Sequence, residues 1–427
     1  MTAIAAAGPT AAARRPSAAP AARTTLPDAL EHAFAFIVLL LLSEALLGPL
    51  FNPLQETDGA PWLRQMWFPV YGVTALLVLA RLPMMIRVFW GAVLLAPLLL
   101  LAGLSGEWSL LPDVTLRRAV ALCFTSLFGL YLAARFAWRD LLNLFAAVFL
   151  VLALGTYLSV LVAPGWAIHA TVHPGAWKGL WFEKNGLGQI MVWGVLACTC
   201  AALFTPERRK LWVAAAMLCV GLVIFSTSKT ALLGLMLVGA GLTVVAGLRR
   251  GGLLAVATAW LALVGAGLLA ALIVLAPELL LEALGRDPTL TGRTDIWSAV
   301  LRRAEERPWQ GYGYGAFWAD KQGPVGYVRN EVDWSAPTAH NGWLEMLLAF
   351  GWTGVILFGV HLAVTALAAL ISLGRGAYSY WAVLLVAVFA LFSLSESTIL
   401  QQNNLIWTLY VVTSAKLLQV RAAVPPR

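Results

Sequence analysis

Charge is what this chain has least of. Only 12% of its 427 residues are Asp, Glu, Lys or Arg, whereas 60% are hydrophobic. Soluble globular domains carry about a quarter charged residues, so a polytopic membrane protein is expected. Cysteine is scarce too: Cys123, Cys198, Cys200 and Cys219 all fall in apolar runs. Cys198-Thr-Cys200 lacks zinc-ligand spacing, which argues against a metal or disulfide role. There is no Asp-X-Asp pair, and the acids between 278 and 333 are scattered, so no metal is required. No Gly-Lys-Ser/Thr follows the glycine-rich run, which removes a nucleotide-binding P-loop. No short apolar core follows Arg14-Arg15, so a cleavable signal peptide is not expected. Internal repeats and inverted hydropathy symmetry are missing, which counts against a secondary transporter.

What is present is a succession of apolar runs. They cover 33–51, 66–82, 87–104, 119–136, 141–163, 185–204, 211–226, 230–248, 252–275, 342–372, 379–396 and 403–420. A bilayer core takes about 20 residues per helix, so the fold class is all-α, with about 12 transmembrane helices. The run 342–372 is long for one span and is expected to tilt or break near Gly351. Residues 1–30, rich in Ala, Pro, Arg and Thr, read as a disordered tail. Helices 1–9 occupy 31–275, a large loop 276–341, helices 10–12 residues 342–420, and a short tail 421–427.

Orientation follows from the basic residues. Arg14, Arg15, Arg23, Arg81, Arg87, Arg135, Arg139, Arg208-Arg-Lys210, Arg249-Arg250, Arg375, Lys416, Arg421 and Arg427 all fall on one side. Apart from the large loop, the other side has only Arg64, Arg117, Arg118, Lys178, Lys184 and Lys229. The rule that cytoplasmic connections are enriched in Lys and Arg puts both termini inside and the loop outside. The net charge of +8 is thereby a matter of topology, and no nucleic acid is implied.

The unusual polar residues then collect on the outer face. The connection 164–184 contains His169, His173, Trp177, Trp181 and Lys184, followed by Asn185-Gly-Leu-Gly188. After the seventh span comes Ser226-Thr-Ser-Lys229-Thr230. In the large loop, a short amphipathic piece runs from Glu278 to Leu284, and Arg286 follows. Thr294 is a suitable N-cap for a helix to about Arg307, with Asp295 in its first turn. Ile296, Trp297, Val300, Leu301 and Ala304 recur at helical spacing, and Pro308 ends the pattern. Gly311-Tyr-Gly-Tyr-Gly315 reads as a tight turn. Trp297, Trp309, Tyr312, Tyr314 and Trp318 have two readings, an interfacial aromatic belt or stacking faces for sugars. His340-Asn341 leads into the tenth span.

The ordered set resembles the superfamily of O-antigen ligases and Wzy-type polymerases. Its members are Phe182-Glu-Lys-Asn185-Gly-Leu-Gly188, Ser226-Thr-Ser-Lys229-Thr230, Thr291-Gly-Arg293-Thr-Asp-Ile-Trp297, Pro308-Trp-Gln-Gly-Tyr-Gly-Tyr-Gly315-Ala-Phe317, and His340-Asn341 with Gly351. Within the superfamily the chain is most similar to exopolysaccharide polymerases of the succinoglycan and xanthan type. The resemblance implies a GT-C-like glycosyltransferase in the bacterial inner membrane, without a cofactor. Its donor and acceptor would be oligosaccharides on undecaprenyl diphosphate, and a chain-length regulator and a flippase are implied partners. The family's basic residue after its Ser/Thr cluster corresponds to Lys229, its loop arginine to Arg293 and its loop histidine to His340.

Breaking a sugar–diphosphate bond leaves negative charge on the leaving group, which fixed cations stabilise. Arg293 and Lys229, with Lys184 or Arg286 as helpers, fit that need. An acceptor hydroxyl must lose its proton, and a histidine with the ordinary pKa of about 6.5 suits a general base. Transfer of glycan to lipid A core by a ligase, or transport of a lipid-linked sugar, are the alternatives. Glu44, Glu345 and Glu396, within or at the ends of apolar runs, are expected to face the bundle interior or water, as structural partners of buried cations rather than as proton relays.

Overall fold

The computed structural model describes residues 26–51, 61–171, 173–275, 293–320, 323–332 and 336–419. Among these, the chain is helical, with no strand beyond an isolated bridge between Ile168 and Trp177. Each expected apolar run contains a helix. In order these are α1 (Leu26–Leu42), α2 (Trp67–Ala80), α3 (Phe89–Leu104), α4 (Pro112–Arg135), α5 (Trp138–Val162), α6 (Lys184–Phe204), α7 (Arg209–Phe225), α8 (Lys229–Arg250) and α9 (Gly252–Leu275). Among the described loop residues two helices follow, α10 (Arg293–Ala304) and α11 (Pro324–Val332). The series closes with α12 (Gly342–Ile371), α13 (Ser379–Ser393) and α14 (Leu405–Leu417). Among the described residues, seven helical stretches are long and apolar enough to cross a membrane, judged by length and composition. The architecture fits a polytopic membrane protein, in which helices satisfy every backbone group internally.

Two helices form the posts of the bundle. α6 is surrounded by α5, α7, α8 and α13, and α14 by α1, α3, α4, α12 and α13. Close approach depends on small residues. Gly234 of α8 meets the Phe392 ring of α13, and Gly241 meets Leu384. That pairing runs α8 and α13 antiparallel, so Lys229 lies at the same end of the bundle as the residues just after Ser393.

The first helix departs from expectation. It begins at Leu26, so residues 26–30 are helical rather than part of the tail. The cause is a charged anchor: Glu31 accepts from Arg81 Nη2 at 2.5 Å, Arg135 Nε at 2.5 Å and the Tyr131 hydroxyl at 2.9 Å. Its far end stops at Leu42, and Glu44 and Leu46 follow with positive φ. The apolar run 33–51 is therefore not one continuous helix.

The expected break in α12 falls on Gly351, with φ 62° and ψ −158°. A side chain there would overlap the Pro308 carbonyl, and this backbone region is essentially open to glycine alone. The break frees backbone groups that the outer loop then satisfies. Tyr312 N donates to Leu348 O at 2.7 Å and Gly313 N to Ala349 O at 3.1 Å, while Trp352 N donates to Pro308 O at 2.7 Å. The glycine-rich run is thus a turn docked into a helix break.

The described part of the outer loop has its own small core. Ile296, Ala299 and Val300 of α10, Val325 and Val328 of α11, Tyr312, Phe317, Trp318 and Leu348 bury one another. Through Leu348, that second cluster packs the described part of the loop onto the bundle end.

Candidate functional site

α10 positions the loop arginine. Its described extent is Arg293–Ala304, short of the expected Arg307, with Glu305–Gln310 in turns. Asp295 lies in the first turn, where it favours the positive helix end. Ile296, Ala299, Val300 and Ala304 are buried, whereas Leu301, expected on the packed face, is 46% exposed.

The packed face aims Arg293 at the turn after α13. Its Nη1 donates to the Ser395 carbonyl at 2.9 Å and its Nη2 to Glu396 Oε1 at 3.2 Å. The other carboxylate oxygen, Oε2, lies 3.6 Å from His340 Nδ1. That is ion-pair range and longer than a direct hydrogen bond. One carboxylate therefore stands between the two loop residues singled out in the sequence. Glu396 partners a largely buried cation, as expected, and also faces the histidine. Nothing in the residue types alone indicates that second contact.

His340 is held in a strained conformation, with φ 49°. A non-glycine residue there costs about 1–2 kcal/mol, so its surroundings must impose it. Trp297 Nε1 donates to the Ala339 carbonyl at 2.9 Å, and Ala339 N donates to Glu345 Oε1 at 2.7 Å. On the far side Asn341 caps α12, accepting from Trp343 N and Leu344 N. Glu345 also accepts from Trp318 Nε1 at 2.9 Å and from the Ser397 hydroxyl at 3.2 Å. It ties together the loop before α12, the turn around Trp318 and the turn that supplies Glu396.

Beside this cluster lies a cavity of about 220 Å³, lined by Arg118, Thr338, Glu345, Gln401 and Gln402 with apolar walls from Phe350 and Ile399. Arg118 Nη1 donates to the Gly315 carbonyl at 2.6 Å. Sequence reasoning missed Arg118, Gln401 and Gln402. The signal was available for Arg118, a basic residue on the sparsely basic face.

Two more cations gather where α6 and α8 begin. Ser228 caps α8 by accepting from Ala231 N at 3.4 Å, and Lys184 Nζ donates to the Thr227 hydroxyl at 3.4 Å. A side chain at Gly188 would meet Ala231, Ser226 and Ser228. The Asn-Gly-Leu-Gly and Ser-Thr-Ser-Lys segments are therefore two halves of one helix contact. Lys229 is exposed at its tip. Arg286 and the piece Glu278–Leu284 lie outside the described residues.

The expected sugar-stacking rings divide by burial. Tyr312, Tyr314 and Trp318 are 1%, 6% and 6% exposed, with their rings covered by protein. Tyr314 stacks on Phe350 at 5.8 Å, and the Tyr312 hydroxyl is shared between Arg303 O and Glu306 Oε2. Burial pushes both phenol groups up, so both stay neutral. The structure gives these three rings a packing place and not an open stacking face. Trp297 is half-buried and anchors the His340 segment. Trp309, 61% exposed, keeps an open face.

The connection before α6 packs onto the same end. Trp177 stacks on Phe225 at 4.3 Å, and Trp181 Nε1 donates to Ser43 O at 2.9 Å. His169 Nε2 sits 3.5 Å from Glu183. Burial pushes its pKa down, against the opposing pull of Glu183.

Comparison with known proteins now bears on this geometry. The O-antigen ligase family profile matches residues 214–359, a stretch that includes Lys229, Arg293 and His340. Over that stretch the chain is similar to the O-antigen ligases. It is also 28% identical over 187 residues to "Exopolysaccharide production protein ExoQ" of Rhizobium meliloti (strain 1021), covering 42% of this chain and 37% of that protein. The resemblance to the O-antigen ligase and Wzy superfamily, on the exopolysaccharide side, is borne out. Glu396 lies beyond the matched stretch.

Proposed function

We propose that the protein is a glycosyltransferase of the bacterial inner membrane that joins undecaprenyl-diphosphate-linked oligosaccharide repeat units into exopolysaccharide on the periplasmic face. The observation that carries this reading is the placement of Arg293 and His340 on one carboxylate, Glu396, at the bundle end where α8 starts with Lys229. A hydroxyl of the acceptor saccharide attacks the anomeric carbon of the donor, and the bond from that carbon to the diphosphate oxygen breaks. The lipid diphosphate leaves with the electron pair. Arg293 and Lys229, with Lys184 beside it, stabilise the charge it gains. His340 takes the proton from the attacking hydroxyl. Glu396 orients the imidazole and offsets the positive charge it acquires, as a carboxylate does behind a catalytic histidine elsewhere. Trp309 offers an exposed face to the glycan, and the cavity beside Arg118 gives the acceptor end polar partners.

The family name supports a second reading, transfer of the glycan to lipid A core by the same chemistry. Purified protein in liposomes with lipid-linked repeat units separates the two. Stepwise lengthening of the glycan is expected; transfer only when lipid A core is added means a ligase, and no covalent change means neither.

A further inference from the structure

At the opposite end of the bundle, where α12 finishes, a second and larger cavity of about 1050 Å³ opens between helix ends. Arg87, Arg375 and Lys416 line it, and among its lining residues there is no carboxylate. Neighbouring arginines are handled differently. Arg135 is paired with Asp28 and Glu31, and Arg139 with Glu207. Arg87 and Arg375 are both exposed, and among the described residues neither makes an ion pair. Lys416 is fixed in place, its ammonium donating to the Ala133 carbonyl at 3.0 Å and the Phe136 carbonyl at 2.6 Å at the end of α4. An ammonium has three N–H donors, so this one retains one beyond those two bonds.

The walls are apolar and aromatic. Trp138 stacks on Tyr378 at 5.2 Å with nearly parallel planes. Ile86 and Phe89, both lining residues, are 71% and 50% exposed. A fully hydrated inorganic anion gains nothing from such a rim. An amphiphile with a phosphate head and acyl chains matches both parts, its head among the cations and its chains along Ile86 and Phe89. These three cations also belong to the more basic face of the chain. Basic pockets between transmembrane helices on that side suit anionic lipid headgroups.

We infer that this cavity is a binding site for the phosphate headgroup of an anionic phospholipid. The inference is independent of the reaction at the other end of the bundle.

The test uses the purified full chain, stripped of lipid in detergent and examined by native mass spectrometry. Phosphatidylglycerol, phosphatidylcholine and inorganic phosphate are the probes. The expected result is retention of phosphatidylglycerol over phosphatidylcholine, with no displacement by millimolar phosphate. The double variant Arg87→Gln/Arg375→Gln should lose at least about tenfold in phosphatidylglycerol retention, and Arg250→Gln, outside the cavity, should lose none. Equal retention of the two lipids overturns the proposal, and so does undiminished retention by the double variant. Displacement by phosphate overturns it as well, by making the site one for free anions. The comparison of lipids on the unaltered protein needs no variant, so misfolding of the double variant leaves the proposal open to refutation.

Discussion

The carboxylate of Glu396 binds Arg293 through one oxygen, at 3.2 Å, and faces His340 with the other, at 3.6 Å. The arginine comes from α10, the histidine from the entry to α12 and the carboxylate from the turn after α13. Three separate segments thus converge on one pair of oxygens.

Replacing Glu396 by Gln keeps an oxygen that can accept from Arg293 but removes the charge that His340 faces. Turnover in proteoliposomes should fall by about tenfold to a hundredfold with normal amounts of protein in the membrane. Glu396→Ala should in addition lower stability by about 2 kcal/mol, because Arg293 loses its charged acceptor. Thermal unfolding of the two variants checks the difference.

Trp297→Phe keeps an aromatic ring, smaller than the indole, and deletes the hydrogen bond to Ala339 O. Stability should drop by about 1 kcal/mol. Turnover should drop with little change in KM, since the altered group positions His340 and does not contact glycan. Steady-state kinetics on lipid-linked substrate read both parameters.

Trp309→Ala should behave in the opposite way. The ring is 61% exposed, so the change in stability should stay within about 0.5 kcal/mol. Loss of a stacking face should raise KM about threefold to tenfold. An unchanged KM would remove Trp309 from the glycan path.

Gly351→Ala forces a side chain into a backbone region open to glycine and into the Pro308 carbonyl. A cost of about 3 kcal/mol or more is expected. The variant should accumulate poorly in membranes, and detergent-solubilised material should melt earlier than the parent protein.

Much of the scaffold was legible in the sequence because lipid imposes a simple rule: long apolar runs become helices. The break at Gly351 was legible for the related reason that 342–372 is too long for one span. The boundary of α1 was not, because it depends on Arg81 and Arg135, which meet Glu31 only after folding. In the loop, residue type pointed to Arg293 and His340 but not to what joins them. Glu396 is far along the chain, and a carboxylate ending an apolar run carries no mark of which residue it will face. Tyr312, Tyr314 and Trp318 read as exposed rings because the loop is polar overall. Its small core, built with α10 and α11, takes them in.

The most direct measurement is glycan lengthening by purified protein in liposomes, comparing the parent with His340→Ala at equal amounts of folded protein. The account predicts that the parent extends lipid-linked repeat units and that His340→Ala is slower by a factor of about 100 or more. Extension by His340→Ala at the parental rate would contradict it.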